Sequence, residues 1–293
     1  MALAACSNEV EENPDDSPVE ARISAGVNTR ADNDKWEAGD AIGVMVTGGN
    51  NTMASLYKNV PYITYAGGTG SANFTALGEP IYFRGIEVAD FAAYGPYNPS
   101  NLMNEWPADV SHDTDNQGSL NNQRLIDYIY ADGVSASIDD PIVDFTFRHV
   151  MARLVIKVQA SDESNINFQD ILDGEYYLDG LIHSGTFDVT TGVATADNSV
   201  QATSDWDLKS CSVKVEGTKD ITFTAILYPQ TAQDLKFKAN IGNKDYSATF
   251  TPTLEAGHSY AITITVKKAE LEMTGSTIDK WTDGSTSEYD ATM

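Results

Sequence analysis

The feature that most constrains this chain is a period of two in its apolar residues, repeated along its length. Ile23, Ala25 and Val27 alternate with Ser24, Gly26 and Asn28, and Ile42, Val44 and Val46 repeat the pattern. Further runs are Ala152, Leu154, Ile156 and Val158; Ile221, Phe223, Ala225 and Leu227; and Tyr260, Ile262, Ile264 and Val266. Successive side chains of a β-strand point to opposite faces, so each run gives one face to a core and one to water. Leu235, Phe237, Ala239 and Ile241 lead through Gly242-Asn243-Lys244 to Tyr246, Ala248 and Phe250, the pattern of a hairpin. Many short strands separated by turn residues make the fold class all-β, built from β-sandwiches with few short helices. The one clear helical stretch is Asn122 to Tyr130, with Leu125, Ile126 and Ile129 facing inward.

The 293 residues suffice for two units of ordinary size. The turn Asp139-Asp140-Pro141 marks a boundary, so residues 22–144 form an N-terminal sandwich and residues 145–293 a C-terminal one. Charge divides the same way. Residues 31–145 hold four basic side chains, Lys35, Lys58, Arg84 and Arg124, whereas residues 146–293 hold twelve. The net charge of -25 excludes a nucleic-acid partner, because a phosphate backbone needs basic patches.

Before the first alternating run the chain reads differently. Leu3-Ala4-Ala5-Cys6 has the form of a bacterial lipoprotein cleavage site, with Cys6 as the lipidated residue. Met1 to Ala5 is far shorter than the usual apolar region of about 7–15 residues, which reads as a shortened leader. Ser7 to Glu20 carries six acidic residues, two prolines and no Lys or Arg, the composition of a solvated tether. Residues 1–21 are therefore read as signal remnant and tether, with the lipid as anchor.

Catalytic and metal chemistry is not legible. His112, His149, His183 and His258 show no metal-ligand spacing, and His149, beside Val150, reads as a hydrogen-bonded structural histidine. Asp113-Thr114-Asp115-Asn116-Gln117-Gly118 resembles a calcium loop, but Gln117 stands for the usual Asp or Asn and Arg124 for the closing Glu. No G-x-S-x-G elbow occurs, and Gly67-Gly68-Thr69-Gly70 lacks the Lys of a phosphate loop. Cys211 alternates with Val213 and Val215 and reads as a buried hydrophobe. No enzyme and no cofactor are expected. Tyr57, Tyr62, Tyr65, Tyr94, Tyr97 and Trp106 are candidates for a sugar-stacking platform.

Several segments resemble the fimbrillin family of type V pilins. They are Thr29-Arg30-Ala31 with Trp36-Glu37-Ala38-Gly39-Asp40-Ala41-Ile42-Gly43-Val44; Phe91 to Tyr97; Phe147-Arg148-His149; Glu255 to Tyr260; and Ile278 to Trp281. The resemblance implies two transthyretin-like sandwiches, export as an outer-membrane lipoprotein, display on the cell surface, and partners among other pilin subunits. It also implies an Arg-specific protease that removes the first strand, after which a strand of another subunit fills the groove. Ile23, Ala25 and Val27 belong to that first strand, Arg30 in the polar stretch behind it is the favoured cut, and Arg22 is the alternative. The donor would come from the C-terminal segment, through Leu271, Met273, Ile278 and Trp281. The competing reading is a surface lipoprotein that binds a glycan or host ligand without polymerising.

Overall fold

The computed structural model describes residues 17–27, 35–99, 104–107, 110–162, 165–216, 220–231, 234–267 and 271–280. Cys6, Arg30 and Trp281 lie outside the described residues. Strands dominate, as the alternation predicts. The α-helices are short: α1 (Asn51–Leu56), α2 (Leu120–Ile126) and α3 (Phe168–Asp173).

The N-terminal half contributes β1 (Val19–Glu20), β2 (Arg22–Val27), β3 (Ala41–Gly48), β4 (Val60–Ile63), β5 (Ser71–Ala76), β6 (Tyr82–Phe83), β7 (Ala89–Gly95), β8 (Ile129–Ala136) and β9 (Ile142–His149). Seven of these join edge to edge in the order β2-β5-β4-β3-β7-β8-β9 and close back on β2. Hydrogen bonding thus turns the expected sandwich into a closed barrel, by way of two sparse corners. At one, Tyr62 and Ile63 meet Ala76 and Thr75. At the other, Ile129 and Tyr130 meet His149 and Arg148. Inside lie Ile23, Ala25, Ile42, Val44, Val46, Phe74, Phe91, Val143, Phe145 and Phe147.

Strand β9 corrects the boundary drawn at 144/145, which falls inside it. Its Val143, Phe145 and Phe147 face the barrel core, and it pairs in parallel with β2 from Arg22↔Ile142 to Val27↔Phe147. The N-terminal half therefore runs to His149. The helix expectation over 122–130 is corrected too. Ser119 accepts the Asn122 N–H and caps α2 at its start, but the helix ends at Ile126. Ile126 is buried while Leu125 faces solvent, and Ile129 opens β8. Tyr128, Ile129 and Tyr130 are β-branched or aromatic residues that favour a strand.

The C-terminal half contributes β10 (Ala152–Ala160), β11 (Glu175–Asp179), β12 (Gly185–Asp188), β13 (Val193–Ala196), β14 (Trp206–Asp207), β15 (Ser212–Glu216), β16 (Asp220–Leu227), β17 (Gln230–Thr231), β18 (Leu235–Ile241), β19 (Lys244–Phe250), β20 (Thr253–Leu254), β21 (His258–Val266) and β22 (Leu271–Lys280). A five-stranded sheet, β15-β16-β10-β21-β22, and a four-stranded sheet, β14-β11-β18-β19, share one core around Phe223, Phe237 and Tyr176. The predicted hairpin is β18–β19. Gly242 and Asn243 both take positive φ (58° and 60°), and Ile241 pairs with Lys244. This is the backbone that a two-residue turn matching the strand twist requires.

The two halves share a third core. The outward-facing Met45, Ala92 and Tyr94 of the barrel pack with Phe187, Ala194 and Ala196 of the β12–β13 hairpin and with Ile226 and Tyr228. Tyr128 stacks on Phe187 at 4.7 Å between ring centroids. Strands β3 and β7 are consequently buried on both faces. Gly43 is required where the barrel wall meets Tyr94, because a Cβ there would lie 2.3 Å from the tyrosine ring.

Candidate assembly site

Strand β2 is short, yet it is held on both sides. It makes four residue pairs with β5, antiparallel, from Ile23↔Phe74 to Gly26↔Ser71. It makes six with β9, parallel. Ile23 and Ala25 point inward and are buried, and Val27 is partly buried at the end. On the outer face the Ser24 hydroxyl donates to Asp144 at 2.5 Å. The stretch leading into β2 is also tied down. Val19 and Glu20 pair with Phe83 and Tyr82, Ala21 N–H donates to Ile81 O, and Arg22 N–H donates to Pro141 O at 2.8 Å.

Trp36 closes the barrel end where β2 finishes. Its indole N–H donates to Ala25 O at 3.0 Å. Its ring meets Phe74 edge-on at 5.0 Å and Phe147 at 5.6 Å. One side chain therefore touches β2 and both strands that flank it. A cavity of about 170 Å³ opens beside it, lined by Val27, Trp36, Asp40, Arg124, Asp127 and His149 among others. Burial raises the Asp40 carboxyl above the ordinary carboxylate range.

The other candidate segment, β22, lies at the edge of the five-stranded sheet and, among the described residues, pairs with β21 alone. Leu271 and Met273 pack partly on the C-terminal core, while Ile278 is 51% exposed. A register shift between Thr263 and Ile264 interrupts the ladder, and the Thr265 and Thr274 hydroxyls bond across it at 2.9 Å.

The remaining sequence candidates take structural places. His149 Nδ1 lies 2.6 Å from Asp127 Oδ1 in a buried pair at the junction of the halves. Thr114 and Gln117 of the calcium-like loop are fully buried and bonded into the fold. Among the described residues no group of three or more His, Cys, Asp or Glu is arranged to hold a metal. The proposed aromatic platform does not exist as a surface. Tyr57, Tyr62 and Tyr94 are buried, leaving Tyr65 (72% exposed) and Trp106 (41%) of that set in solvent.

Two side chains in the C-terminal half yield direct expectations. Burial pushes the Cys211 thiol up to about 12, and its S–H donates to Leu208 O at 2.8 Å. The thiolate is the reactive species, so Cys211 should resist alkylation by iodoacetamide at pH 8 in the folded chain and react on unfolding. Peptide mass spectrometry reads this directly, and fast native-state labelling would contradict it.

His183 sits against Trp206, 4.6 Å between centroids, with Nδ1 3.0 Å from the Thr114 hydroxyl. Burial pushes its imidazole down to about 4, against the opposing pull of Asp115 and Asp113. Between pH 6.5 and 4 the unfolded chain binds the extra proton, so stability is complete above pH 6.5 and falls as pH drops. The loss should reach about 3 kcal/mol at the acid end. Denaturant titrations should show that part of the slope vanish in His183→Gln; identical pH profiles would assign it elsewhere.

A family model described as "Fimbrillin-like" matches residues 29–281. The chain belongs to the fimbrillin-like family. Its role is structural and fimbrial, at the cell surface, in keeping with a family that is structural rather than catalytic. Among fimbrillin-like relatives it is 29% identical over 298 residues to a Bacteroides uniformis protein named "Putative fimbrium subunit Fim1C", covering 97% of this chain and 92% of that one. A crystal structure from Bacteroides ovatus, described as a "putative cell adhesion protein", superposes with a TM-score of 0.74 at 22% identity, covering 92% of this chain and all of that one. A second of the same description, from Bacteroides uniformis, gives a TM-score of 0.67 at 24% identity over 92% of this chain and all of that one. These likenesses establish a shared fold.

In the sequence Trp36 stands out only as part of a motif, and Gln117 only as the residue that spoils a calcium loop. Gln117 is a tie between the halves. Its Nε2 donates to Thr114 O at 2.6 Å and Ile226 O at 2.9 Å, and its Oε1 accepts the Ile226 N–H at 2.7 Å. Gln123 adds a bond from Nε2 to Thr224 O at 2.9 Å. Strand β15 pairs with β16 as far as Thr224, so Gln123 meets β16 at the end of that ladder and Gln117 serves it at Ile226, beyond the point where its neighbour stops. An alternating pattern carries no signal for such a tie.

Proposed function

We propose that this chain is a fimbrial subunit exported as an outer-membrane lipoprotein through Cys6, and that an Arg-specific protease cuts after Arg30 to release β2. A strand from another subunit, drawn from the C-terminal segment with Leu271, Met273, Ile278 and Trp281, then takes the vacated place. The observation that carries this reading is the double pairing of β2. Its loss would open one slot with an antiparallel wall (β5) and a parallel wall (β9), floored by Phe74, Phe145 and Phe147. Unpaired strand edges invite a replacement strand. An incoming strand running in the direction of β2 restores both ladders. The backbone bonds around Arg22 favour Arg30 as the cut, since Arg22 begins a paired strand. Burial of Tyr57, Tyr62 and Tyr94 weighs against the glycan-binding alternative.

Limited digestion of the folded chain with an Arg-specific protease tests the proposal, with mass spectrometry locating the cut and gel filtration following size. A single early cut after Arg30 followed by a ladder of oligomers is the expected result. A cut at Arg22 alone, leaving a stable monomer, would overturn it and leave a subunit that keeps its first strand.

A further inference from the structure

Both edges of the five-stranded sheet carry apolar side chains that the facing sheet leaves half-covered. At one edge, among the described residues, β15 pairs with β16 alone, with Val213 opposite Phe223 and Val215 opposite Ile221. Residues directly opposite in a ladder share a face, and Phe223 and Ile221 are buried in the C-terminal core. Val213 and Val215 therefore point to the core side, yet they are 41% and 48% exposed. At the other edge, Leu271, Met273 and Ile278 of β22 stand opposite the buried Val266, Ile264 and Tyr260. Leu271 and Met273 are only partly covered, and Ile278 is half exposed. Five strands face four, so an apolar fringe overhangs on each side.

Chain direction makes the two fringes complementary. Strand β15 runs with β10, and β22 runs against it. Two copies set side by side with their sheets in the same orientation bring β15 of one against β22 of the other in the antiparallel sense, the more stable pairing. The apolar rows then fall on the same face of one continuous sheet. Each copy uses one edge and offers the other, so the contact is head-to-tail and open-ended.

We infer that the C-terminal half carries a self-association surface of its own, in which β15 of one copy accepts β22 of a second copy and the two half-covered apolar rows complete one another. This goes beyond strand replacement in the barrel, since the contact needs neither the loss of β2 nor the release of β22. The ladder is short, because β15 spans five residues. The net charge of -25 on each copy opposes it. Association should therefore emerge at high protein concentration and strengthen with salt, which screens that repulsion.

Sedimentation velocity of the intact, uncleaved chain across a concentration series, at low and high salt, tests the inference. The weight-average mass should rise with concentration, more steeply at high salt. V213K/V215K should remain monomeric, although two added lysines reduce the net negative charge and would by themselves favour association. I278K, on the opposite edge, should also remain monomeric. An equimolar mixture of the two should give dimers and nothing larger, because each retains one intact edge. Should V213K/V215K lose its fold, I278K keeps the test, because as a chain terminator it must shorten the wild-type oligomers when mixed with them. A wild type that stays monomeric throughout, variants that associate like the wild type, or a terminator without effect would each overturn the inference.

Discussion

Replacing Trp36 with alanine should destabilise the barrel by about 3–5 kcal/mol, the range for removing a large buried aromatic side chain. Two edge-on contacts disappear, to Phe74 on β5 and Phe147 on β9, and the Ala25 carbonyl of β2 loses its indole donor. Chemical denaturation followed by circular dichroism measures the loss. Trp36→Phe separates the parts. It keeps an aromatic ring between the two strands but cannot donate to Ala25, so it should cost the hydrogen bond, about 1 kcal/mol, plus a modest packing term. Hydrogen exchange gives the mechanistic readout. In Trp36→Ala the amides of β2 should exchange faster relative to those of β21, which lies in the other half. Equal acceleration in both halves would mean that Trp36 supports the whole molecule and has no special hold on the first strand.

Gln117→Leu should cost about 4 kcal/mol and loosen the junction between the halves. The side chain is fully buried, and it answers both the N–H and the C=O of Ile226. Leucine fits the volume but leaves both backbone groups without that partner, and each buried unsatisfied group costs roughly 1–3 kcal/mol. Ile226 belongs to the shared core with Tyr228, Phe187 and Tyr94, so the damage should be read there. A two-step denaturation curve replacing a single transition is the expected outcome. A stability loss below about 1 kcal/mol would show that water takes over both bonds and that the tie is dispensable.

Much of the fold was legible because alternation reports which faces are buried. The strands β2, β3, β10, β16, β18, β19 and β21 all follow runs visible in the sequence. Alternation does not report partners. That Val143, Phe145 and Phe147 belong with Ile23 and Ala25 depends on a parallel pairing between segments far apart in the chain, with no hairpin turn to announce it. The boundary at Asp139-Asp140-Pro141 failed for that reason: the turn joins two strands of one sheet. Strand β7 shows in the sequence only through the family-like segment Phe91 to Tyr97, because Ala89 to Gly95 is buried on both faces and has no polar row. As for the candidate site, the inward residues Ile23 and Ala25 were readable, whereas the plug formed by Trp36 was not, since its contacts come from three different strands.

The two candidate segments also differ in how they would bear tension. A segment lying between β5 and β9, pulled along its own axis, loads both ladders in shear, and all of its cross-strand bonds must yield together. Among the described residues strand β22 has a neighbour on one side only, and a force directed away from the sheet unzips it one pair at a time. The slot occupied by β2 thus holds against tension along the strand, whereas the sheet edge occupied by β22 yields to a force that peels it away. A segment moved from the second to the first would come loose under a small force and, once seated, hold against a large one.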